Sequence, residues 1–407
     1  MRVLFVLPRT PFPPDTGFRQ RYTNLLRGLA GRNEVAVACF ATPEEASRSG
    51  ETLQKLARFE CVSPESPESG LGMMAAFLSP DPSEVALYRS ARMAAVVDTL
   101  VPEFRPDLIV AGDPALTQYV ASHKGVPRVL DYICDCMLSF ERLKAISSVP
   151  GRWLNTLRRK KYAGFLRRIA HHYECCISSS KEDLDSIATA WPADCPILII
   201  PVGLEPESYP LNLAEPVPGR MIYPGALSYS PNLDAVRFFA RDILPRIRAR
   251  VPNAELWVTG ARLKNGLEPK AEGLHYTGYV DDIRTTLASA WATVVPLRSG
   301  AGGTRLKVLE SMALGTPLVS TAIGYEGVAV EDRKHLLVAE TAGEFAERCI
   351  ELLGDADLRK RLAHNARMLL ETQYNWRTIG ANYESILKDI VERKTGTASK
   401  VGKTPSR

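Results

Sequence analysis

The sequence predicts an α/β protein with two parallel-sheet domains. Short apolar runs alternate with helix-period segments along the chain, the pattern of parallel strands joined by helical crossovers. The alternation halts at PVGLEPESYP, residues 201–210, where three prolines and a glycine mark a junction, and then restarts. At 407 residues, 45% hydrophobic and 24% charged, the chain exceeds one ordinary core. It suits two domains of about 100 to 200 residues each.

In the first half, Val3 to Leu7 reads as a buried strand, Arg19 to Ala30 as a helix and Glu34 to Phe40 as a second strand. Helical patterns follow near Glu44 to Phe59 and around Val85 to Leu100. Asp107 to Ala111, Val129 to Tyr132, Glu174 to Ser178 and Ile197 to Ile200 complete the strands of this half. The second half opens with a strand at Met221 to Tyr223, a long helix from Pro231 to Arg250, and strands at Glu255 to Thr259 and Leu274 to Thr277. A helix at Asp281 to Ser289 and a strand at Thr293 to Pro296 come next. Thr341 to Leu353 and Asp357 to Thr372 are closing helices, and Tyr374 to Val391 is a last one. Residues 393–407 are polar, basic and small, which predicts disorder. No repeat of solenoid type is present.

Arg2 followed by Val3 to Leu7 is too short for a targeting signal, and no stretch reaches the length of a spanning helix. The expectation is a soluble or peripheral protein. A net charge of +5 is modest at this size, so any basic surface is local. The eight cysteines show no CxxC pair and no zinc spacing, and reduced thiols in a cytoplasmic protein are expected.

Pro296 to Thr321, PLRSGAGGTRLKVLESMALGTPLVST, carries the strongest chemical signal. Gly300, Ala301, Gly302 and Gly303 let a backbone approach a ligand closely. A helix then begins near Thr304 with Arg305 and Lys307 in its first turn, where cations oppose the helix dipole by roughly 0.3 to 1 kcal/mol each. An anion reverses that penalty, because each charge-assisted hydrogen bond to phosphate contributes about 1.5 to 3 kcal/mol. Lys307 and Glu310 share one helix face. Leu306, Leu309 and Ala313 anchor the opposite stripe, Gly315 caps the end and Pro317 stops continuation.

This segment resembles the nucleotide-sugar site of the family 4 retaining glycosyltransferases, which have the GT-B fold: two Rossmann-like parallel-sheet domains facing a central cleft. The GGTRLKVLE stretch is similar to a bacterial exopolysaccharide subgroup of these sugar transferases. The resemblance implies an acceptor domain over 1–200, a nucleotide-sugar donor domain over 201–373, and a helix over 374–392 that packs back on the first domain. Glu310 matches the second glutamate of the family motif, which hydrogen-bonds the donor ribose. The first falls at position 302, where this chain has Gly302. The family's arginine and lysine pair is absent from Pro224 to Asn232, so Arg305 and Lys307 become the diphosphate partners, with Gly303 and Thr304 in the same turn.

Further donor contacts follow by resemblance. Gly225, in the loop PGALSYSPN, brings amides near phosphate or makes a simple turn. Tyr279 and Val280 of GYVDD resemble the loop that contacts the nucleotide base, while Asp281 or Asp282 caps the next helix. Gly17 and Arg19 match the first-strand loop that approaches donor phosphates or acceptor. No histidine lies in Val129 to Glu141, so Asp131 or Asp135 is assigned to acceptor orientation or proton acceptance, with capping of a helix as the alternative.

DxD triplets at Asp183 to Asp185 and Asp355 to Asp357 sit at helix starts, where aspartate favours the dipole without a ligand. No metal and no cofactor beyond the donor nucleoside diphosphate sugar are expected. Glu141 to Ala170 holds nine lysines and arginines and one acidic residue. Arg158, Arg159, Lys160, Lys161, Arg167 and Arg168 interleave there with Trp153, Leu154, Leu157, Tyr162, Phe165 and Ile169. A basic amphipathic helix at 152–169 can lie on an anionic membrane surface or pack on the first domain with a solvated face. No nucleic-acid-binding module accompanies it. The expected function is transfer of a sugar to a saccharide or lipid-linked saccharide acceptor, in the cytoplasm or on the inner face of the cell membrane. A GT-B nucleotide-sugar epimerase and a non-catalytic nucleotide-sugar scaffold are the alternatives.

Overall fold

β1 (Arg2–Leu7) reads RVLFVL, and Val3 to Leu7 are completely buried, as a central parallel strand screened on both faces requires. The structure, a computed structural model, describes residues 1–14, 16–64, 79, 81–133, 135–263, 266–300 and 302–396. It divides into one unit of Met1–Ile200 with the chain from Ile379 onward, and a second of Pro201–Thr378.

The first unit continues with β2 (Glu34–Phe40), β3 (Arg58–Val62), β4 (Leu108–Ala111), β5 (Arg128–Asp131), β6 (Cys175–Ser178) and β7 (Ile197–Ile199). They form a seven-stranded sheet in the order β3-β2-β1-β4-β5-β6-β7, parallel throughout. β1 sets the register on both sides, Val3 lying beside Val35 of β2 and Leu108 of β4. The order reverses between β1 and β4, and the carboxyl ends beside such a reversal form the crevice where parallel sheets bind ligands. Leu4, Val6, Ile109 and Leu130 of these strands pack with Met93, Tyr162 and Leu166 from helices in one core cluster.

The second unit has β8 (Val217–Pro224), β9 (Glu255–Thr259), β10 (Leu274–Gly278), β11 (Ala290–Val295), β12 (Leu318–Ser320) and β13 (Leu337–Val338). Its six-stranded parallel sheet runs β10-β9-β8-β11-β12-β13, with the reversal between β8 and β11. The two units thus carry two Rossmann-like parallel sheets. The last helix, Trp376–Thr395, starts in the second unit and passes into the first, where Glu384 accepts from Asn33 at 3.0 Å and pairs with Arg32 at 2.8 Å.

Several elements differ from the sequence expectation. The helix expected to reach Phe59 ends at Gln54, and Arg58–Val62 becomes the sheet-edge strand. The helical stretch around Val85 to Leu100 is two helices, Ser83–Ala86 and Ala91–Phe104, the second capped by Ser90 accepting from the Met93 amide. The long helix after Pro231 is interrupted by a π-helical turn at Phe239–Ile243, where Leu244 N–H donates to Phe239. Pro245 lacks the N–H that would bond Arg241, and its ring crowds that carbonyl, so the turn widens. Residues 393–395 of the tail are helical, and 397–407 lie outside the described residues.

Candidate functional site

β8 and β11 end side by side, and their following loops converge at the reversal of the second sheet. β8 delivers Tyr223, and its loop delivers Asn232 at the start of the Ser230–Phe238 helix. β11 leads into residues 296–305 and the helix Leu306–Leu314. That helix begins two residues later than expected, so Arg305 is its N-cap residue and Thr304 precedes it.

No side chain caps this helix start, whereas Thr341 and Asp355 cap the two helices that follow it. Unpaired first amides and the positive dipole end make it a seat for an anion. Gly303 adopts φ +95, and the loop is pressed against Gly327, where an added Cβ would lie 2.7 Å from the Thr304 Cα. Only glycine at 327 permits that approach. Gly302 lies in the same turn and is partly buried; Ala301 is outside the described residues.

Lys307 is partly buried and turns back toward β8. Its Nζ donates to the Tyr223 hydroxyl and to Asn232 Oδ1, each at 3.1 Å, and sits 4.3 Å from the Tyr223 ring centre. The Tyr223 hydroxyl donates to the same Oδ1 at 2.7 Å, and the Asn232 amide donates to Ala226 O at 2.9 Å. Among the described residues, the hydrogen-bond partners of the ammonium are therefore neutral. Burial, followed by repulsion from Arg305, pulls the Lys307 pKa down to about 7, with Glu310 opposing. Glu310, one turn on, is pushed up to about 7 by burial, partly offset by Lys307. No hydrogen bond reaches its carboxylate among the described residues. Arg305 is matched instead: its guanidinium pairs with Glu326 at 2.9 Å and donates to Ile323 O at 3.2 Å. Arg305 is thus oriented by a carboxylate, while no carboxylate is hydrogen-bonded to Lys307 among the described residues.

The structure reassigns Gly225. Its own amide donates to Thr259 O at 2.9 Å, so it is not available to a phosphate, and a side chain there would collide with Asn232 Nδ2 at 2.7 Å. Tyr279 is strongly exposed and Val280 partly buried after β10, and Asp282 caps the next helix by accepting from Arg284 N at 2.9 Å.

In the first unit, Gly17 opens the Gly17–Ala30 helix behind its cap Thr16, and Arg19 pairs with Glu45. Arg19 lines a cavity of about 260 Å³ with Arg9, Tyr88 and Arg89. The aspartates assigned to the acceptor are a correction. Asp131 is completely buried and held by Arg21, which reaches Oδ1 at 2.9 Å and Oδ2 at 3.3 Å. Asp135 is also fully buried and caps Cys136–Ile146, accepting from Met137 N, Leu138 N and the Tyr132 hydroxyl. Neither carboxylate is open to a substrate. The aspartate at the β1/β4 reversal is Asp113, only partly buried, accepting from Ala115 N at 2.8 Å. Burial pushes its pKa up to about 6, opposed by that amide and by Arg9. The signal for it was the GDP turn directly after the fourth strand.

Asp183 and Asp355 serve helix starts, and Asp185 lies one turn on. Asp183 accepts from Ser180 at 2.7 Å, Asp185 pairs with Lys181 at 3.1 Å, and Asp355 accepts from Leu358 N at 2.8 Å.

Comparison with known proteins follows the same division. Residues 218–355 match the family described as "Glycosyl transferases group 1". Glycogen synthase of Mycobacterium tuberculosis is 25% identical over 297 residues, 68% of this chain and 67% of that one. The crystal structure of Anabaena Alr3699/HepE in complex with UDP and glucose superposes with a TM-score of 0.64 at 16% identity, covering 96% of this chain and 100% of that one. The crystal structure of WaaG, a glycosyltransferase involved in lipopolysaccharide biosynthesis, gives 0.62 at 17% identity over 94% of this chain and 99% of that one. The chain therefore has the GT-B fold, and residues 218–355 of its second unit are similar to the group 1 glycosyltransferases.

Proposed function

We propose that this GT-B chain transfers a sugar, with retention of anomeric configuration, from a nucleoside diphosphate hexose to a lipid-linked saccharide in bacterial exopolysaccharide synthesis. The observation that carries the reading is Lys307: a partly buried ammonium whose hydrogen-bond partners among the described residues are neutral, at a helix start without a side-chain cap beside the switch point of the sheet. A diphosphate is its natural counterion. As the bond from the sugar to the diphosphate breaks and the bond to the acceptor hydroxyl forms, Lys307, Arg305 and the free amides stabilise the charge left on the diphosphate. Glu310 holds the ribose hydroxyls, and Tyr279 and Val280 lie toward the base. Gly17 and Arg19 approach the phosphates or the acceptor. Asp113 takes over from Asp131 and Asp135 the roles of orienting the acceptor hydroxyl and accepting its proton as the new bond forms. No resident cofactor or metal is part of the proposal. The relatives solved with UDP and glucose and named for lipopolysaccharide biosynthesis support the donor class and the glycan setting.

The test is incubation of the pure protein with a panel of nucleotide sugars and host membrane lipids, following nucleoside diphosphate release and product. Tight nucleotide binding without release under any combination would leave a binding protein rather than a transferase.

Proton linkage gives a sharper check on the site. Lys307, lowered to about 7, is largely neutral at pH 8 in the free protein, and a bound diphosphate favours its charged form. Glu310 is already mostly ionised at that pH. Binding of nucleoside diphosphate at pH 8 should therefore take up on the order of one proton, and affinity should fall as pH rises from 7 to 9. Calorimetry in buffers of different ionisation enthalpy measures the uptake. The Lys307→Arg variant should show none, and uptake persisting in that variant would remove Lys307 from the diphosphate site.

A further inference from the structure

The Val149–Ile169 helix buries Tyr162, Phe165, Leu166 and Ile169 in the core of the first unit, so packing accounts for those apolar residues. It does not account for the other half. Val149 is 70% exposed, Trp153 79%, Leu157 56% and Leu154 42%. Val149, Trp153 and Leu157 recur every four residues and form one outward stripe, about 12 Å long at 1.5 Å per residue, with Leu154 on its flank. Leu143 of the preceding helix is also exposed. One exposed leucine means nothing, but a tryptophan grouped with three aliphatic side chains is a patch that water disfavours.

Charge says what covers it. Three cations of this helix are spent locally, Arg158 on Glu84, Arg159 on Glu141 and Arg168 on Asp81. Arg152, Lys160 and Arg167 meet no carboxylate among the described residues; Arg152 and Arg167 donate to the carbonyls of Ser147 and Thr189. Lys160 lies one turn beyond Leu157 on the same side, Arg167 lies two turns further, and Arg152 borders Trp153. An apolar stripe containing an indole and bordered by unneutralised cations is complementary to a surface that is anionic outside and apolar just beneath.

We propose that this face of the first unit docks on an anionic lipid bilayer. Trp153, Val149, Leu154 and Leu157 enter the boundary between headgroups and acyl chains, and Arg152, Lys160 and Arg167 lie over anionic headgroups. The indole suits that boundary because its ring is apolar and its N–H stays hydrated. Among the described residues no helix is long and apolar enough to cross a membrane, so the contact lies in the surface plane. The proposal deepens the lipid-linked-acceptor reading and takes its purpose from it, while its structural basis is separate.

The experiment is flotation of the full chain with vesicles of phosphatidylcholine alone or mixed equally with phosphatidylglycerol. Binding is expected to the anionic vesicles and to weaken with salt. Trp153→Ala with Leu157→Ala should lower partitioning about tenfold or more. Lys160→Glu with Arg167→Glu should lower it by a similar factor. Nucleotide affinity should be unchanged in both pairs. Absence of binding to anionic vesicles, or binding unaffected by either pair, overturns the proposal. Capture on polyglutamate beads that survives loss of Trp153 and Leu157, without vesicle binding, would assign the face to an acidic protein instead. Normal transfer to a water-soluble acceptor without vesicle binding would sink this proposal alone, and vesicle binding without any transfer would sink only the functional reading.

Discussion

Replacing Lys307 with methionine should lower transfer about 10³-fold while raising the melting temperature of the ligand-free protein. The two effects have one cause. In the folded chain burial and Arg305 hold the Lys307 pKa at about 7, against its ordinary value of 10.5. Between those values the unfolded chain binds the proton that the folded chain has released, so this group makes stability rise with pH across that window. Its cost to the fold is complete below about pH 7 and vanishes above about 10.5. Methionine packs against the Tyr223 ring without that cost, and the Tyr223 hydroxyl still satisfies Asn232 Oδ1. A gain of about 1 kcal/mol is expected near neutral pH, since an apolar replacement of a desolvated charge is often neutral or stabilising. That corresponds to roughly 2 to 4 °C in a unit of this size.

The same ammonium is what the departing diphosphate would lose. A factor of 10³ is about 4 kcal/mol, the size measured when one preorganised donor to a developing anion is removed. Turnover equal to wild type would exclude Lys307 from the chemistry. Lost activity together with a lower melting temperature would point to general damage.

What could be read from the chain follows from how locally each feature is encoded. β1 and β2 are unbroken apolar runs and could be placed without tertiary information. β3, RFECV, alternates at a sheet edge and runs on from a helix without a glycine or proline between them, so periodicity merged the two. β13 is two residues long and carries no periodic signal at all. In the candidate site, Lys307 and Glu310 could be grouped from the sequence because both sit on one helix behind a glycine-rich turn. Their partners were not. Tyr223 and Asn232 reach Lys307 only because β8 lies beside β11, across 84 and 75 residues of sequence. Glu326 reaches Arg305 from the turn after β12 in the same way. Strand order was the missing information in each case.

Asp131 tests the reassignment of the acceptor role to Asp113 with the largest expected stability effect. Asp131→Ala would leave the Arg21 guanidinium fully buried, donating to the Ile200 carbonyl at 2.6 Å but stripped of its Asp131 carboxylate. Removing one partner of such a pair costs about 3 to 5 kcal/mol, because the survivor remains desolvated. At roughly 2 to 4 °C per kcal/mol, the first unit should melt on the order of 10 °C earlier or fail to accumulate. The structural role separates from a catalytic one in the double variant Arg21→Met with Asp131→Leu, which removes both charges and keeps apolar volume. If Asp131 acts only through Arg21, the double variant regains most of the melting temperature and retains transfer. A folded double variant without transfer would return Asp131 to the reaction. The carboxylate expected to matter for the acceptor is Asp113, and Asp113→Asn should keep the fold while transfer falls, since a single hydrogen bond from the Ala115 N–H and no ion pair holds that side chain among the described residues.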